Sequence, residues 1–164
     1  MLHPFWITKI NKCEIGISPC PSGGLDLETE LNSLFLGNQL SLISLLVEEE
    51  VIALKLHNEG LISTKIGIDF RAFPIVDSSI PGASNFIGFI EELYVQTKEV
   101  NRMLIHCRAG IGRSSLIALG LMTKHGLNLK ESIELASKVR GIDVPQSFSQ
   151  RKLLSYYATT LGDK

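Results

Sequence analysis

Residues 102–121 read RMLIHCRAGIGRSSLIALGL, and this stretch carries most of the structural information in the chain. Its apolar start, Arg102 to Ile105, has the length and composition of a buried strand that ends at His106. From Ser114 onward the apolar side chains are spaced as in a helix, which Gly126 would end in the left-handed conformation. The sequence therefore predicts a strand and a helix joined by a tight turn.

The turn has the features of an anion-binding cup. Backbone N–H groups at a helix N-terminus lack partners and carry partial positive charge, so they attract anions. Glycine in the turn lets successive N–H groups converge on one centre, because it tolerates positive φ and has no Cβ. The planar guanidinium of Arg113 can hold two phosphate oxygens at once. We therefore predict a phosphate loop formed by Arg108, Ala109, Gly110, Ile111, Gly112 and Arg113.

Cys107 stands at the start of this turn and is the predicted nucleophile. A helix N-terminus with an adjacent cation favours the thiolate over the thiol, and the thiolate is the reactive form. Its attack on a bound phosphoryl group would give a cysteinyl-phosphate intermediate. Ser114 is predicted to donate a hydrogen bond to the sulfur, which improves it as a leaving group in the second step. His106 is interpreted as a side chain that orders the loop rather than one that transfers a proton.

Other phosphate-binding and metal-binding motifs fit the sequence poorly. A Walker-type loop ends in Gly-Lys-Ser/Thr, whereas this turn ends in Arg113-Ser114. A dinucleotide site needs a third glycine and a downstream acidic residue, which the sequence does not place there. The histidines and cysteines show no metal-ligand spacing, so neither a metal ion nor another cofactor is expected.

Three blocks of sequence resemble one enzyme superfamily. Residues 106–114 resemble the His-Cys-x5-Arg-Ser/Thr signature of the protein tyrosine and dual-specificity phosphatases. The run Phe73-Pro74-Ile75-Val76-Asp77 is similar to their general-acid loop, and Asp77 lies 30 residues before Cys107. Residues 145–150 resemble their glutamine segment. Together with residues 17–21, these blocks place the kinase-associated (cyclin-dependent kinase inhibitor-type) phosphatases nearest.

The resemblance implies a metal-independent phosphatase that acts on phosphotyrosine in proteins, with phosphoserine and phosphothreonine as further candidates. It implies that Asp77 protonates the leaving oxygen, that Gln146 aligns the hydrolytic water and that Gln150 supports it. Two alternatives stay open. Ser78-Ser79, which departs from the family pattern after Asp77, hints at a phosphate-binding module without turnover. The chain could also be a phosphatase for a non-protein phosphomonoester, such as a carbohydrate, a lipid or an RNA end.

Length and composition favour one α/β domain. The chain has 164 residues, of which 45% are hydrophobic, enough for one core. Strand and helix patterns alternate along it, which predicts a mostly parallel central sheet flanked by helices on both faces. We therefore interpret residues 1–164 as a single catalytic domain resembling those of the dual-specificity phosphatases.

The charge and cysteine counts bear on partners and compartment. A formal net charge of −1 gives no general attraction to nucleic acid or to an anionic membrane, so neither is expected as a partner. A phosphorylated protein is the partner that the family resemblance implies. The chain has three cysteines, an odd number, and residues 1–6 show no signal-peptide pattern, which favours the cytoplasm. Cys13 and Cys20 are interpreted as core or loop thiols. The oligomeric state stays open.

Four further elements follow from local patterns. Phe5–Ile10 and Cys13–Ile17 are predicted to form a hairpin. An apolar strand is expected over Leu40–Val47. A helix is predicted from Pro81 to about Val100, with Val95 on its apolar side.

Overall fold

A computed structural model describes residues 2–37 and 39–162 of the chain. Its strands are β1 (Phe5–Ile10), β2 (Cys13–Ser18), β3 (Leu40–Ser44), β4 (Asp69–Ala72) and β5 (Arg102–His106). Its α-helices are α1 (Leu27–Leu34), α2 (Glu48–Ala53), α3 (Glu59–Ile66), α4 (Ala83–Gln96), α5 (Arg113–Lys124), α6 (Leu129–Arg140) and α7 (Phe148–Gly162).

The strands form one sheet with β5 at its centre, in the order β1-β2-β5-β3-β4. The β1–β2 pair is antiparallel, whereas β2, β5, β3 and β4 run parallel to one another. The register sets Ser18 and Ser44 on either side of His106. Ligands of open parallel sheets bind beyond the carboxyl ends of the strands, and Cys107 follows His106 at that edge.

Helices cover both faces of the sheet. Successive side chains of a strand point to opposite faces, and Leu104 and Ile105 of β5 accordingly enter two different apolar clusters. The cluster around Ile105 packs against α4, α5 and α7, and the cluster around Leu104 packs against α1. The predicted α/β architecture, a mostly parallel sheet between two layers of helices, is confirmed.

Two local predictions need correction. The third strand ends at Ser44 rather than Val47, although the chain remains buried for two more residues. The helix predicted from Pro81 begins at Ala83, because Gly82 keeps an extended ψ of 144°, and it ends at Gln96.

The inward face of α4 also differs from the prediction. Phe86, Phe89, Ile90 and Leu93 are buried, a spacing of three and four residues that fills one helical face. Val95 follows Leu93 by two residues, which places it on the opposite side of the helix. Its side chain is 55% exposed, so its predicted burial is wrong. None of the described helices is long and apolar enough to cross a lipid bilayer.

Candidate active site

The turn between β5 and α5 is fixed by close backbone packing. Gly110 has a φ of 67°, a region that favours glycine. A Cβ at this position would lie 2.4 Å from the carbonyl carbon of Ser18 and 2.5 Å from the nitrogen of Pro19. The turn can therefore approach the end of β2 this closely only with glycine at position 110.

A cavity of about 220 Å³ opens beside this turn. Cys107 lies in its wall with only 3% of its surface exposed. The cavity brings together most of the predicted site residues: Asp77, Cys107, Arg108, Ala109, Ile111, Gly112, Arg113, Gln146 and Gln150, with Ser78 and Ser147 beside them. His106 and Ser114 are fully buried behind this wall.

Ser114 lies next to the sulfur of Cys107. The Sγ of Cys107 and the Oγ of Ser114 are 3.5 Å apart, within hydrogen-bond reach for sulfur. When the sulfur is a thiolate, the hydroxyl is the donor of this pair. The two side chains are therefore close enough for the predicted hydrogen bond from Ser114 to the sulfur. The effect of this hydrogen bond on the reaction stays a prediction.

Arg113 is held by a carboxylate that the sequence analysis did not identify. Its Nη1 and Nη2 donate to the two carboxylate oxygens of Glu50 on α2, at 2.6 Å and 2.8 Å. These hydrogen bonds hold the pKa of the Glu50 carboxyl below its ordinary value, and a donation from the Val47 N–H adds to the effect. A paired contact of this kind fixes the plane of the guanidinium.

Asp77 reaches the same guanidinium from the segment between β4 and α4. Its Oδ1 is 3.1 Å from Arg113 Nη2, while Nη1 of Arg113 donates to the Ile75 carbonyl at 2.9 Å. The base of the segment is anchored by Phe73, which stacks on Phe89 of α4 with ring centroids 4.0 Å apart. Ser78 follows in the left-handed region with a φ of 58°. The predicted general acid therefore lies beside the group predicted to bind phosphate.

The predicted glutamine segment meets the cavity at the start of α7. The Gln150 N–H donates to Ser147 Oγ at 3.1 Å, and the Ser147 N–H donates to Gln150 Oε1 at 3.4 Å, a reciprocal helix cap. Gln150 is only 2% exposed, and its amide lies against Gly112. Gln146 is exposed at the cavity. Water alignment therefore falls more naturally to Gln146, and both roles stay predictions.

Arg140 braces the phosphate loop from behind and was not predicted to do so. Its Nε donates to the Gly110 carbonyl at 2.9 Å and its Nη2 to the Ala109 carbonyl at 3.0 Å. In a trans peptide the C=O and the following N–H point in opposite directions. Carbonyls turned toward Arg140 therefore leave the N–H groups of Gly110 and Ile111 turned the other way, as an anion cup requires.

We predict that Arg140→Ala weakens the binding of inorganic phosphate by about tenfold. Without these two hydrogen bonds, the free energy that holds the loop in its binding conformation falls by on the order of 1–2 kcal/mol. Isothermal titration calorimetry measures this affinity directly. Lys138→Ala removes an exposed cation two residues earlier in α6 and serves as the control. Equal phosphate affinity in the Arg140 variant and the wild type would contradict the bracing role.

The other two cysteines differ from Cys107 in their surroundings. All three cysteines are free thiols. Burial raises the pKa of Cys13 to about 11. Burial, with the nearby Glu59 carboxylate as the next cause, also raises the pKa of Cys20. Both therefore remain thiols at neutral pH, as expected for core and loop cysteines. Within residues 2–37 and 39–162, His, Cys, Asp and Glu side chains form no cluster of three or more that could hold a metal ion.

Comparison with known proteins places these residues in a family context. The sequence model of the family described as Cyclin-dependent kinase inhibitor 3 (CDKN3) matches residues 34–135. Among curated proteins, dual specificity protein phosphatase 18 of Mus musculus is 28% identical over 97 residues, 58% of this chain and 52% of that protein. Cyclin-dependent kinase inhibitor 3 of Homo sapiens is 30% identical over 98 residues, 58% of this chain and 46% of that protein. These matches span about half the length of the curated relatives.

Solved structures share the fold across almost the whole chain. A kinase associated phosphatase (KAP), solved with its catalytic-site cysteine replaced by serine, superposes with a TM-score of 0.85 at 21% identity, covering 99% of this chain and 97% of that one. PTPMT1 in complex with PI(5)P superposes with a TM-score of 0.77 at 20% identity, covering 96% and 97%.

Proposed function

This chain belongs to the Cyclin-dependent kinase inhibitor 3 (CDKN3) family, and we propose that it hydrolyses phosphorylated protein through a cysteinyl-phosphate intermediate, with residues 1–164 as one catalytic domain. One observation carries the proposal. Cys107, Arg113 and Asp77 line a single cavity, and the Asp77 carboxylate lies 3.1 Å from the Arg113 guanidinium. Nucleophile, phosphate ligand and acid thus converge on a space that admits a phosphoryl group.

In the first step, the Cys107 thiolate attacks phosphorus and the phosphorus–oxygen bond to the leaving group breaks. Arg113 and the N–H groups of the loop hold the remaining phosphoryl oxygens, where charge develops in the transition state. Protonated Asp77 gives its proton to the departing oxygen, which leaves as an alcohol or phenol. Phosphorus is then bonded to sulfur.

In the second step, a water molecule aligned by Gln146 attacks the cysteinyl-phosphate. Asp77, now a carboxylate, takes a proton from that water, and the phosphorus–sulfur bond breaks. The Ser114 hydroxyl stabilises the departing thiolate by a hydrogen bond. Inorganic phosphate leaves, and the starting protonation states are restored without a metal ion.

Two exposed apolar side chains close in sequence to the cavity lining support a protein side chain as the phosphate carrier. Val76 and Phe148 are 66% and 80% exposed, and each is the sequence neighbour of a lining residue, Asp77 and Ser147. Exposed apolar side chains next in sequence to the lining residues can pack on the ring of phosphotyrosine or on residues that flank a phosphorylated serine or threonine. The cavity volume of about 220 Å³ accommodates either class.

The deciding experiment is hydrolysis of para-nitrophenyl phosphate and of matched phosphotyrosine and phosphothreonine peptides with excess EDTA. We expect turnover of all three, and denaturing mass spectrometry of quenched reactions should show a phosphoryl adduct on Cys107. Phosphate binding without turnover would instead support the binding-module alternative. Turnover of carbohydrate, lipid or RNA phosphomonoesters with none of the peptides would favour a non-protein substrate.

Replacing the general acid gives a separate prediction. Asp77→Asn should lower kcat for a phosphotyrosine peptide by about 10²–10⁴-fold, the usual contribution of general acid catalysis. The loss should be smaller for an aryl phosphate whose leaving group departs without a proton. Asp143→Asn, which changes an exposed carboxylate, is the control. A similar loss with both leaving groups would argue against proton donation by Asp77.

A further inference from the structure

A second cavity, of about 550 Å³, lies between the end of β4 and one side of α4. We call it the β4–α4 groove. Its walls are Arg71, Ala72 and Phe73 on the strand side and Ser84, Asn85, Gly88, Phe89 and Glu92 on the helix side. None of these residues lines the cavity that contains Cys107. The two steps of the proposed reaction make no use of the groove.

The strand side of the groove is a free sheet edge. β4 pairs with β3, and within residues 2–37 and 39–162 no strand pairs with its other side. The N–H of Phe73 donates to the Ser44 carbonyl of β3 at 2.9 Å. The backbone groups of successive strand residues point to alternate edges, so the N–H and C=O of Ala72 point away from β3. Ala72 is exposed in the groove, which therefore offers the donor and acceptor that an added strand would pair with.

The helix side of the groove leaves room for a polypeptide backbone. Ser84, Gly88 and Glu92 are spaced by four residues and therefore lie along one side of α4. A Cβ at Gly88 would meet no atom within 4 Å beyond its chain neighbours and the backbone of its own helix. Ala72 adds only a methyl group on the strand side. An extended chain can therefore approach the edge of β4 without displacing a large side chain at these two positions.

The charges at the groove favour a basic occupant. Nη1 of Arg71 is 3.7 Å from Glu92, and Nε of Arg71 is 3.8 Å from Asp69. Gln96 donates a hydrogen bond to Asp69, which leaves the charge of that carboxylate in place. One guanidinium thus faces two carboxylates, and the Glu92 side chain is 64% exposed. The excess negative charge is complementary to a lysine or arginine on a bound segment.

The groove and the candidate active site lie at connected positions. β4 and β5 run parallel to β3, so β4 ends at the same edge of the sheet as the strand that precedes Cys107. Asp77, which lines the cavity with Cys107, follows Ala72 by five residues. Five extended residues span at most about 18 Å. One polypeptide can therefore occupy both places when about six residues separate its groove-bound segment from its phosphorylated side chain.

We propose that the β4–α4 groove binds an extended, basic segment of the phosphoprotein substrate as an added strand on β4. Backbone hydrogen bonds to Ala72 provide affinity for the extended chain, and Glu92 selects a lysine or arginine on it. The proposal rests on the proposed function, because it names a feature of the substrate that lies outside the cavity around Cys107.

The test measures the binding of fluorescent phosphotyrosine peptides to Cys107→Ser by anisotropy, which needs no turnover. A long peptide with about eight residues of lysine, threonine and valine on each side of the phosphotyrosine can reach the groove, whereas one with about two residues on each side cannot. We expect the long peptide to bind about tenfold more tightly, the gain typical of a few added backbone hydrogen bonds. Equal affinities would overturn the proposal.

Filling the groove should remove this advantage of the long peptide. Gly88→Leu, added to Cys107→Ser, should bring the two affinities together and leave the binding of the short peptide unchanged. Leucine favours a helix more than glycine does, so the substitution should not unfold α4. Gly162→Leu at the end of α7, where a Cβ also meets no atom within 4 Å, is the matched control. A tenfold advantage that persists in the Gly88 variant would contradict docking in the groove.

Two further comparisons examine the mode of binding. N-methylation of alternate peptide residues should weaken binding in one phase and not in the other, because only one edge of an added strand faces β4. Equal effects in both phases would exclude strand pairing.

The charge preference has its own readout. Cys107→Ser should prefer lysine over glutamine in the long peptide, and Glu92→Gln should reduce this preference while Glu99→Gln, an exposed carboxylate after α4, retains it. A preference untouched by Glu92→Gln would remove the assigned role of that residue. Length-dependent binding to Cys107→Ser without any peptide turnover by the wild type would refute the proposed function alone. Turnover of both peptides with no dependence on length would refute the docking alone.

Discussion

Cys107→Ser should leave no measurable turnover of any phosphomonoester, a loss of at least about 10⁴-fold, because removal of a covalent nucleophile blocks both steps. A serine hydroxyl at this site lacks a base to activate it and remains protonated at neutral pH. The proposed phosphate ligands, Arg113 and the loop N–H groups, are unchanged by the substitution. The variant should therefore still bind inorganic phosphate with an affinity close to that of the wild type.

The measurement pairs steady-state hydrolysis of para-nitrophenyl phosphate with calorimetric titration of phosphate. Cys20→Ser is the matched control, since it changes a half-buried thiol near the loop and should retain turnover. Thermal denaturation verifies that both variants fold, because serine fits the space of cysteine. Substantial hydrolysis by Cys107→Ser would remove the nucleophile assignment, and with it the cysteinyl-phosphate mechanism.

Arg113→Ala should abolish phosphate binding and also destabilise the fold by about 3–5 kcal/mol, the usual cost of leaving a buried ion without its partner. The side chain of Glu50 is 12% exposed and makes two hydrogen bonds to the guanidinium at 2.6 Å and 2.8 Å. The variant also loses the hydrogen bond to the Ile75 carbonyl, which ties the segment that carries Asp77 to the guanidinium. Urea unfolding measures the change in the free energy of unfolding.

Replacing both Arg113 and Glu50 separates the contribution of Arg113 to stability from its proposed contribution to phosphate binding. Replacing a buried ion pair by apolar residues of similar volume is often nearly neutral in stability. We therefore expect the double variant Arg113→Met with Glu50→Leu to recover most of the lost stability and none of the phosphate binding. If the double variant were as unstable as Arg113→Ala, the ion pair with Glu50 would not explain the destabilisation.

The ion pair also predicts how the destabilisation depends on pH. Arg113 lowers the folded-state pKa of Glu50. A carboxyl with a lowered pKa stabilises the folded state above its unfolded pKa of about 4.3, and this contribution disappears as the pH falls through the folded-state value. The difference in the free energy of unfolding between the wild type and Arg113→Ala should therefore narrow between pH 6 and pH 3. A difference that stays constant over this range would contradict the assignment.

The architecture could be predicted well because its signals are local and repeated. The apolar run of β5 and the spacing on α5 each arise within a few residues and need no distant partner. The predicted ends of β3 and α4 were wrong because packing against the rest of the fold, not the local sequence pattern, determines where these elements begin and end. Val95 is an apolar residue that the helical phase of α4 turns to the surface, whereas the polar Gln96 beside it is buried and donates a hydrogen bond to Asp69. The polarity of these two residues therefore predicts the wrong one to be buried.

The residues of the candidate site also differ in how far the local sequence alone could predict them. Cys107 and Arg113 are joined by a short loop, so their chemistry and spacing are legible in the sequence, and the cavity contains both. Asp77 and Gln146 come from other segments and were identified through a family resemblance, not through their spacing alone. Both residues also line the cavity, and their catalytic roles stay predictions.

Two side chains that contact the candidate site became visible only in the folded chain: Glu50 and Arg140. Glu50 lies 63 residues before Arg113, and Arg140 lies 30 residues after Gly110. Glu50 is the third of three successive glutamates, and nothing in the sequence marks which of them faces inward. The loop from Cys107 to Arg113 could be predicted from the sequence because covalent connectivity fixes the distances between its residues. The groups that orient the loop depend on strand order and helix packing, which bring distant residues together and leave no local pattern.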